Sequence, residues 1–406
     1  MARRVLSTIT VILFILILAG VIIFYSRGYR LDFNEKTLST TGILSISSYP
    51  DKASIFIDGR LISATNASLT LSPNWYSIKI SREGYQSWEK KVRVQGEVVS
   101  QIDALLIPTN PSLRAITVTG IETVTISPSR MKVAYIVNTD DQIATSTFKP
   151  KTGVWVLDLR TGLLGGRDEP KQVLATRYPQ GKTKIIWSPD EKQLALMRYN
   201  TTANKDVLTQ ALLLNIDDSN IQSQDITPKA INLTSEWIAE EKTKLDLQLA
   251  VLPIEISNKL KSAAKNIFFS PDESKILYLA TTSAMLIPVI TPPLIGSNPT
   301  LETRSITSGN FYIYDTREDK NFLVADQKTI QTSDSIIWYS DSKHLAQIEN
   351  NSINMVDYDG TNKRTVYSGP FEKNLFYTSP QGGKLIILTN LNRSDALPNL
   401  YELDLR

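Results

Sequence analysis

The sequence predicts an all-β protein behind one N-terminal transmembrane helix: a small β-sandwich, then a β-propeller whose ring is closed by strands from both ends of its segment. Three observations predict it. Val5 to Tyr25 runs for 21 residues without a charge. Residues 42–108 read as short runs of alternating apolar and polar residues. Beyond them, one hairpin pattern recurs five times: an apolar strand, a tight polar turn and a second apolar strand.

The uncharged run is taken first. As a helix it spans about 31 Å, close to the thickness of a bilayer core. It is too long for the apolar part of a cleaved signal peptide, and no clean small-x-small site follows it. Arg3 and Arg4 precede it and Arg27, Arg30 and Lys36 follow it, so flanking charge gives no orientation. A short tail ahead of a large domain favours a signal-anchor with the N-terminus inside and the bulk of the chain extracytoplasmic. The organisation expected is residues 1–30 for tail and anchor, 31–41 for a linker, 42–108 for the sandwich and 109–406 for the propeller.

In the sandwich region, "GILSISSYP" and "ASIFIDG" alternate, and the second stops at Asp58-Gly59, a two-residue hairpin signal. "WYSIKISREGY", "KKVRVQG" and "QIDALLIP" continue the series. A module of about 65 residues has a marginal core by itself. The stretch resembles the PEGA domain, a small β-sandwich of bacterial and archaeal surface proteins. The matching residues are Pro50 and Ala53, Asp58-Gly59, Gly84-Tyr85 and Leu105. The namesake Pro-Glu-Gly-Ala reads Pro50-Asp51-Lys52-Ala53, and Ala64-Thr65-Asn66 stands where Gly-x-Thr-Pro is usual. The resemblance implies a surface or spacer role and no reaction. Trp75, Tyr76, Tyr85 and Trp88 either make a sugar-stacking patch or serve as core and rim aromatics.

The five hairpins align without a gap: "TISPSRMKVAYI", "IWSPDEKQLALM", "FFSPDESKILYL", "IWYSDSKHLAQI" and "YTSPQGGKLIIL". They supply strands a and b. Strand c follows each and ends in an aspartate: Asp158, Asp217, Asp315, Asp357 and Asp404. Strand d follows four of them, in "KQVLAT", "KAINLT", "NFLVAD" and "RTVYSG". A recurring four-strand unit is the mark of a propeller blade. The fifth unit ends at Arg406 before any strand d, and "LRAITVTG" (Leu113 to Gly120) is left over in front of the first. Using one to complete the other closes the ring and removes open sheet edges. Five blades are visible; a sixth within residues 233–265 is the alternative. The units resemble TolB-like and WD-type propeller repeats, where "SPDGKxIAF" hairpins are typical. The glycine usual after the aspartate is replaced by Glu191, Glu273 and Ser342, while Gly382-Gly383 keeps it.

Strand alternation sorts the loops. The a–b and c–d turns share one face and are short. The insertions 139–152, 201–207, 281–308, 391–398 and 233–265 belong to the other. Within 233–265, Ser235 with Glu236, Glu240 and Glu241 reads as a helix start, and Pro253 opens a second helical segment. The apolar, proline-rich loop 284–299 is the candidate binding loop, through Leu286, Ile287, Pro288, Ile290, Pro292, Pro293, Leu294 and Ile295. The sandwich and membrane are expected on the plain face, with this loop pointing away.

Several chemistries find no support. There is no cysteine, hence no disulfide or thiolate. The one histidine, His344, excludes His-cluster metal sites and argues against a Ser-His-Asp triad; its repeat position, shared with Gln193 and Lys275, predicts a polar surface residue. Charge is balanced, +3 from 44 basic and 41 acidic residues, so no nucleic-acid partner is indicated. No phosphate loop or nucleophile elbow is present, and no cofactor or metal is implied. The expected function is a membrane-anchored, non-enzymatic binding or scaffold protein for a protein or cell-envelope polysaccharide partner. The alternative is an extracytoplasmic carbohydrate-active enzyme with paired carboxylates in the propeller funnel.

Overall fold

The computed structural model describes residues 2–26, 29–32, 37–138, 152–160, 169–176, 182–202, 205–326, 328, 330, 335–372, 375–393 and 396–405. Most of the expected insertion 139–152 lies outside them. The chain divides into two compact units: Met1–Thr109 with Ile290–Glu302 and Arg317–Lys320, and Asn110–Val289 with Thr303–Thr316 and Asn321–Arg406.

In the first unit the apolar run is helical, α1 (Ala2–Ser26). Among the described residues no helix is long and apolar enough to cross a membrane, so the transmembrane helix expected from the sequence is not supported. The large apolar side chains described along α1, from Ile9 to Ile23, are 49–65% exposed. A hairpin follows, Tyr29–Asp32 paired with Thr37–Thr40. The sandwich then forms from two sheets. One orders Ala67–Leu71, Gly42–Tyr49 and Val99–Leu105; the other orders Arg60–Ala64, Ser54–Ile57, Asn74–Ser81 and Trp88–Val94. Their inward residues alternate along each strand and meet in one core: Leu44, Ile46, Ile55, Ile57, Ile78, Ile80, Val92, Val94 and Ile102. Asp58 and Gly59 form the expected two-residue turn, with φ of +49° and +80°, the double left-handed geometry that matches strand twist.

Among the described residues, the propeller segment holds five four-stranded sheets. In the order a, b, c, d they are blade 1 (Thr123–Ile126, Lys132–Val137, Gly153–Asp158, Lys171–Leu174), blade 2 (Lys182–Trp187, Gln193–Thr202, Lys205–Asn215, Gln224–Asp225) and blade 3 (Ala264–Phe269, Lys275–Ala280, Phe311–Asp315, Lys320–Ala325). Blade 4 has Ile336–Trp338, His344–Glu349, Ser352–Asp357 and Arg364–Ser368; blade 5 has Phe376–Thr378, Lys384–Thr389 and Asn399–Asp404, with Leu113–Ala115 as its strand d. The early strand joins the last in antiparallel register, Leu113 opposite Leu403. The closure read from the sequence is therefore present.

Residues 233–265 hold no blade. They fall in two helices, α2 (Ala230–Ala250) and α3 (Ile254–Ala263). "KAINLT" begins α2 and is not a strand; blade 2 takes Gln224–Asp225 as strand d. The reason is periodicity: Ala230, Thr234 and Trp237 are buried at helical spacing, while Ile231 is exposed. Ser235 does not start the helix but lies inside it, its hydroxyl donating to the Ile231 carbonyl at 2.8 Å. Pro253 does stand at the N-cap of α3.

The two helices act as a wedge. Ala230 and Trp237 of α2 pack on Ala195, Met197 and Ala211 of blade 2. Leu249, Ile256, Leu260 and Ala263 pack on Ile276, Tyr278, Tyr312 and Tyr314 of blade 3. Elsewhere sheet meets sheet directly, blade 1 on blade 2, blade 3 on blade 4 and blade 5 on blade 1. A helix pair thus covers the two sheet faces that a further blade would have covered. Fully burying a side chain such as Leu260 contributes about 1.5–3 kcal/mol.

Candidate binding surfaces

The Ser-Pro-Asp turns come first because they recur. Arg130, Glu191, Glu273, Ser342 and Gly382 occupy the same turn position, and all five take positive φ, from +56° to +70°. The left-handed region costs a non-glycine residue about 1–2 kcal/mol, and all four non-glycine side chains there contact another part of the chain. The Glu191 carboxylate accepts from the amide and hydroxyl of Ser129 in blade 1. Glu273 accepts from Gln248 of α2 at 2.8 Å. The Ser342 hydroxyl accepts from the Asp272 amide of blade 3 at 3.0 Å. Arg130 lies over the Phe268 ring, 5.4 Å from its centroid. In blade 5 the contact comes from the other side, the Gly383 amide donating to the Tyr339 hydroxyl of blade 4. The turns join blades and leave few groups for a ligand.

Behind each turn, the first residue of strand b faces the end of strand c. The pairs are Lys132–Asp158, Gln193–Asn215, Lys275–Asp315, His344–Asp357 and Lys384–Asp404. Asp217, expected at this place in blade 2, lies two residues past it; Asn215 holds the register. In blade 3, Lys275 is buried, 3.6 Å from Asp315 and 4.7 Å from the centre of the Tyr358 ring. In blade 4, His344 is 4% exposed, which overturns the surface position expected for it. Its repeat alignment was right, but depth depends on how neighbouring blades pack.

His344 sits between two carboxylates. Nδ1 is 2.6 Å from Asp341 Oδ2 and Nε2 is 3.3 Å from Asp357 Oδ1. Burial works to lower its pKa, but the charge and hydrogen bond of Asp341, and then Asp357, outweigh burial and push it up to about 10. Asp341 is held low: burial opposes its charge, and His344 together with the amides of Lys343 and His344 more than compensates. Asp357 also accepts from Asn362 at 2.9 Å and Thr361 at 3.3 Å. With both ring nitrogens protonated, His344 has no lone pair to offer a metal or a substrate proton. Among the described residues no cluster of His, Cys, Asp or Glu could hold a metal ion.

The candidate loop divides. Ala284–Met285 pairs with Ser305–Ile306, and the Leu286 amide donates to Arg304 O at 2.9 Å. Leu286 is buried in the blade 3 and helix core, whereas Met285, Ile287 and Val289 are 58%, 61% and 41% exposed, and Pro288 is exposed. Leu286 is therefore an anchor and not a contact residue. Ile290, Pro292, Pro293, Leu294 and Ile295 belong to the sandwich's unit. There the Ile290 amide donates to Asp319 Oδ2 at 2.8 Å, the Gly296 amide to Gln95 Oε1 at 2.6 Å and the Asn298 amide to Glu318 Oε2 at 2.9 Å. The expectation that the whole loop points away from the sandwich is corrected: polar side chains of that unit hold three backbone amides of the loop's second half.

The aromatic residues do not form one patch. Trp88 is in the sandwich core, Tyr76 is half-buried with its hydroxyl on Ser72 O at 2.9 Å, and Trp75 is exposed with Lys91 Nζ 5.7 Å from its ring centre. Strand alternation decides this, since Trp75 and Trp88 face opposite sides of their sheet.

Residues 41–110 match the family model of the PEGA domain. No curated protein matches the chain. Among solved structures, TolB from Acinetobacter baumannii is 11% identical at a TM-score of 0.22, over 81% of this chain; the chain spans 59% of that structure's length. Oligogalacturonate lyase from Vibrio parahaemolyticus is 8% identical at a TM-score of 0.26, with 93% of this chain and 96% of that one covered. A TolB homologue from Agrobacterium tumefaciens is 11% identical at a TM-score of 0.20, covering 90% and 98%. The propeller architecture rests on the strand order described above.

Proposed function

We propose that this protein is a non-catalytic binding scaffold, held at a membrane by α1 with its bulk extracytoplasmic, in which the propeller recognises a protein partner. One observation carries the recognition: Met285, Ile287 and Val289 stand exposed on a connection whose backbone is pinned by strand pairing and by the buried Leu286. Pinning lowers the entropic cost of binding, and exposed aliphatic side chains on a fixed backbone suit an apolar protein surface. Few aromatic or charged groups accompany them, which favours protein over polysaccharide. The anchoring proposal rests on the uncharged run of the sequence and on the exposed aliphatic side chains of α1.

The test is crosslinking in cells of the producing organism, comparing the wild-type chain with Met285→Asp/Ile287→Asp. A partner retained by the wild type should be recovered at least about tenfold less with the variant, the loss of roughly 1.4 kcal/mol or more, with thermal unfolding unchanged. Equal recovery would remove this surface from consideration.

A further inference from the structure

A second apolar surface lies wholly within the sandwich's unit. Ile43 and Val99 are register partners on adjacent parallel strands, and both point outward, 42% and 58% exposed. Gly296 lies against Val98 and Val99: a Cβ there would come within 2.3 Å of Val98 Cγ1 and 3.9 Å of Val99 O. The Gln95 side chain fixes that approach through the Gly296 amide. Leu294 and Ile295, immediately before it, are 45% and 72% exposed. Four aliphatic side chains from three separate parts of the chain are thus brought to one end of the sandwich.

Chain geometry limits how far that end lies from α1. Thr40 pairs directly with Tyr29 across the hairpin, with the two Cα atoms about 5 Å apart as ladder partners are. Tyr29 is three residues past the end of α1, and Ile43 is three residues past Thr40. At up to 3.6 Å per extended residue, Ile43 lies no farther than about 27 Å from the end of α1, whatever path the intervening residues take. Arg27 and Arg30, directly after the apolar run, add the charge that anionic headgroups attract. The geometry points to a docking surface made by Ile43, Val99, Leu294 and Ile295 that rests on the lipid surface beside α1. This rests on the reading of α1 as a membrane anchor. It gives the second half of the proline-rich loop a different task from the first: it sets the sandwich down on the bilayer.

The absence of cysteine makes the test direct. Single variants of the full chain, Ile15→Cys, Val99→Cys, Ile295→Cys and Leu61→Cys, are labelled with an environment-sensitive fluorophore and reconstituted in vesicles of phosphatidylethanolamine and phosphatidylglycerol. Quenching by lipids carrying a nitroxide is then measured, in the headgroup region for the sandwich labels and deep in the acyl chain for Ile15. The expected result is strong quenching at Ile15, quenching at Val99 and Ile295, and none at Leu61, which is exposed on the edge strand of the opposite sheet. Quenching at Ile15 with water-like signals at Val99 and Ile295 would overturn the docking surface and leave the anchor standing. No quenching at Ile15 would overturn the anchor reading, and the docking surface with it. Equal quenching at Leu61 would show generalised adsorption and would also overturn the assignment.

Discussion

Blades 4 and 2 place the same two positions, the start of strand b and the end of strand c, at different depths. In blade 4 the pair is His344 and Asp357, both buried, with Asp341 closing the other side of the ring. In blade 2 the pair is Gln193 and Asn215, neutral, half-buried and exposed. Where the site is buried, a charge is held only with its full set of partners. Where water reaches it, the charges are dispensable, and blade 2 has neither member. Blade 3 sides with blade 4, through buried Lys275 and Asp315.

The largest way to break the contrast is His344→Leu, which strands two carboxylates in the protein. Loss of one member of a buried ion pair costs about 3–5 kcal/mol, so a clear drop in the urea midpoint of the propeller unit is expected, and His344→Lys should recover much of it. pH sharpens the point. A folded pKa near 10 lies above the unfolded value, so the histidine's contribution is complete below about 6.5 and is lost as pH rises through about 10. The stability gap between wild type and His344→Leu should therefore narrow over that alkaline range. Asp341, held low, loses its contribution as pH falls through its folded value, so acid should narrow the gap as well.

An intermediate effect is expected at the turns. Gly382→Ala places a Cβ within 2.8 Å of Ser340 Oγ at φ of +70°. It brings the left-handed cost of about 1–2 kcal/mol without the bridging side chain that Glu191 or Ser342 supplies. Differential scanning calorimetry should show a lowered transition; no change would mean that the neighbouring blade yields freely. The smallest effect belongs to blade 2. Gln193→Lys with Asn215→Asp installs the ion pair of its neighbours at a wet site, and its stability should stay within about 0.5 kcal/mol of the wild type. A larger gain would show that depth is not what separates the two blades.

Much of the fold was legible because it is local and repeated. Five aligned hairpins specify five sheets, and the unpaired Leu113 segment specifies how the ring closes. The Asp58-Gly59 turn was legible for the same reason, since two residues alone set its geometry. Blade 2's strand d was misread because "KAINLT" is short and fits both periods, and burial on the blade chose the helix. His344 was misplaced for a related reason: alignment gives a residue its position in a blade but not the thickness of what packs over it. The glycine substitutions at Glu191, Glu273 and Ser342 were visible, and only the neighbouring blades show what those side chains hold.

The candidate loop shows the same boundary. Its prolines and aliphatic residues marked 284–299 as unusual, and its partition into the buried Leu286, the exposed Met285 and Ile287, and a second half tied to Gln95 was not written in it. By itself the sequence determined the elements whose signals are periodic or contained in a turn: α1, the alternating strands and the five repeated hairpins, while the helices at 230–263 removed the sixth blade it left open. The tertiary structure alone decided which charges are buried, that two helices fill the place between blades 2 and 3, and which apolar residues remain in water. Those properties depend on surfaces meeting across tens or hundreds of residues, where no local period records the partner.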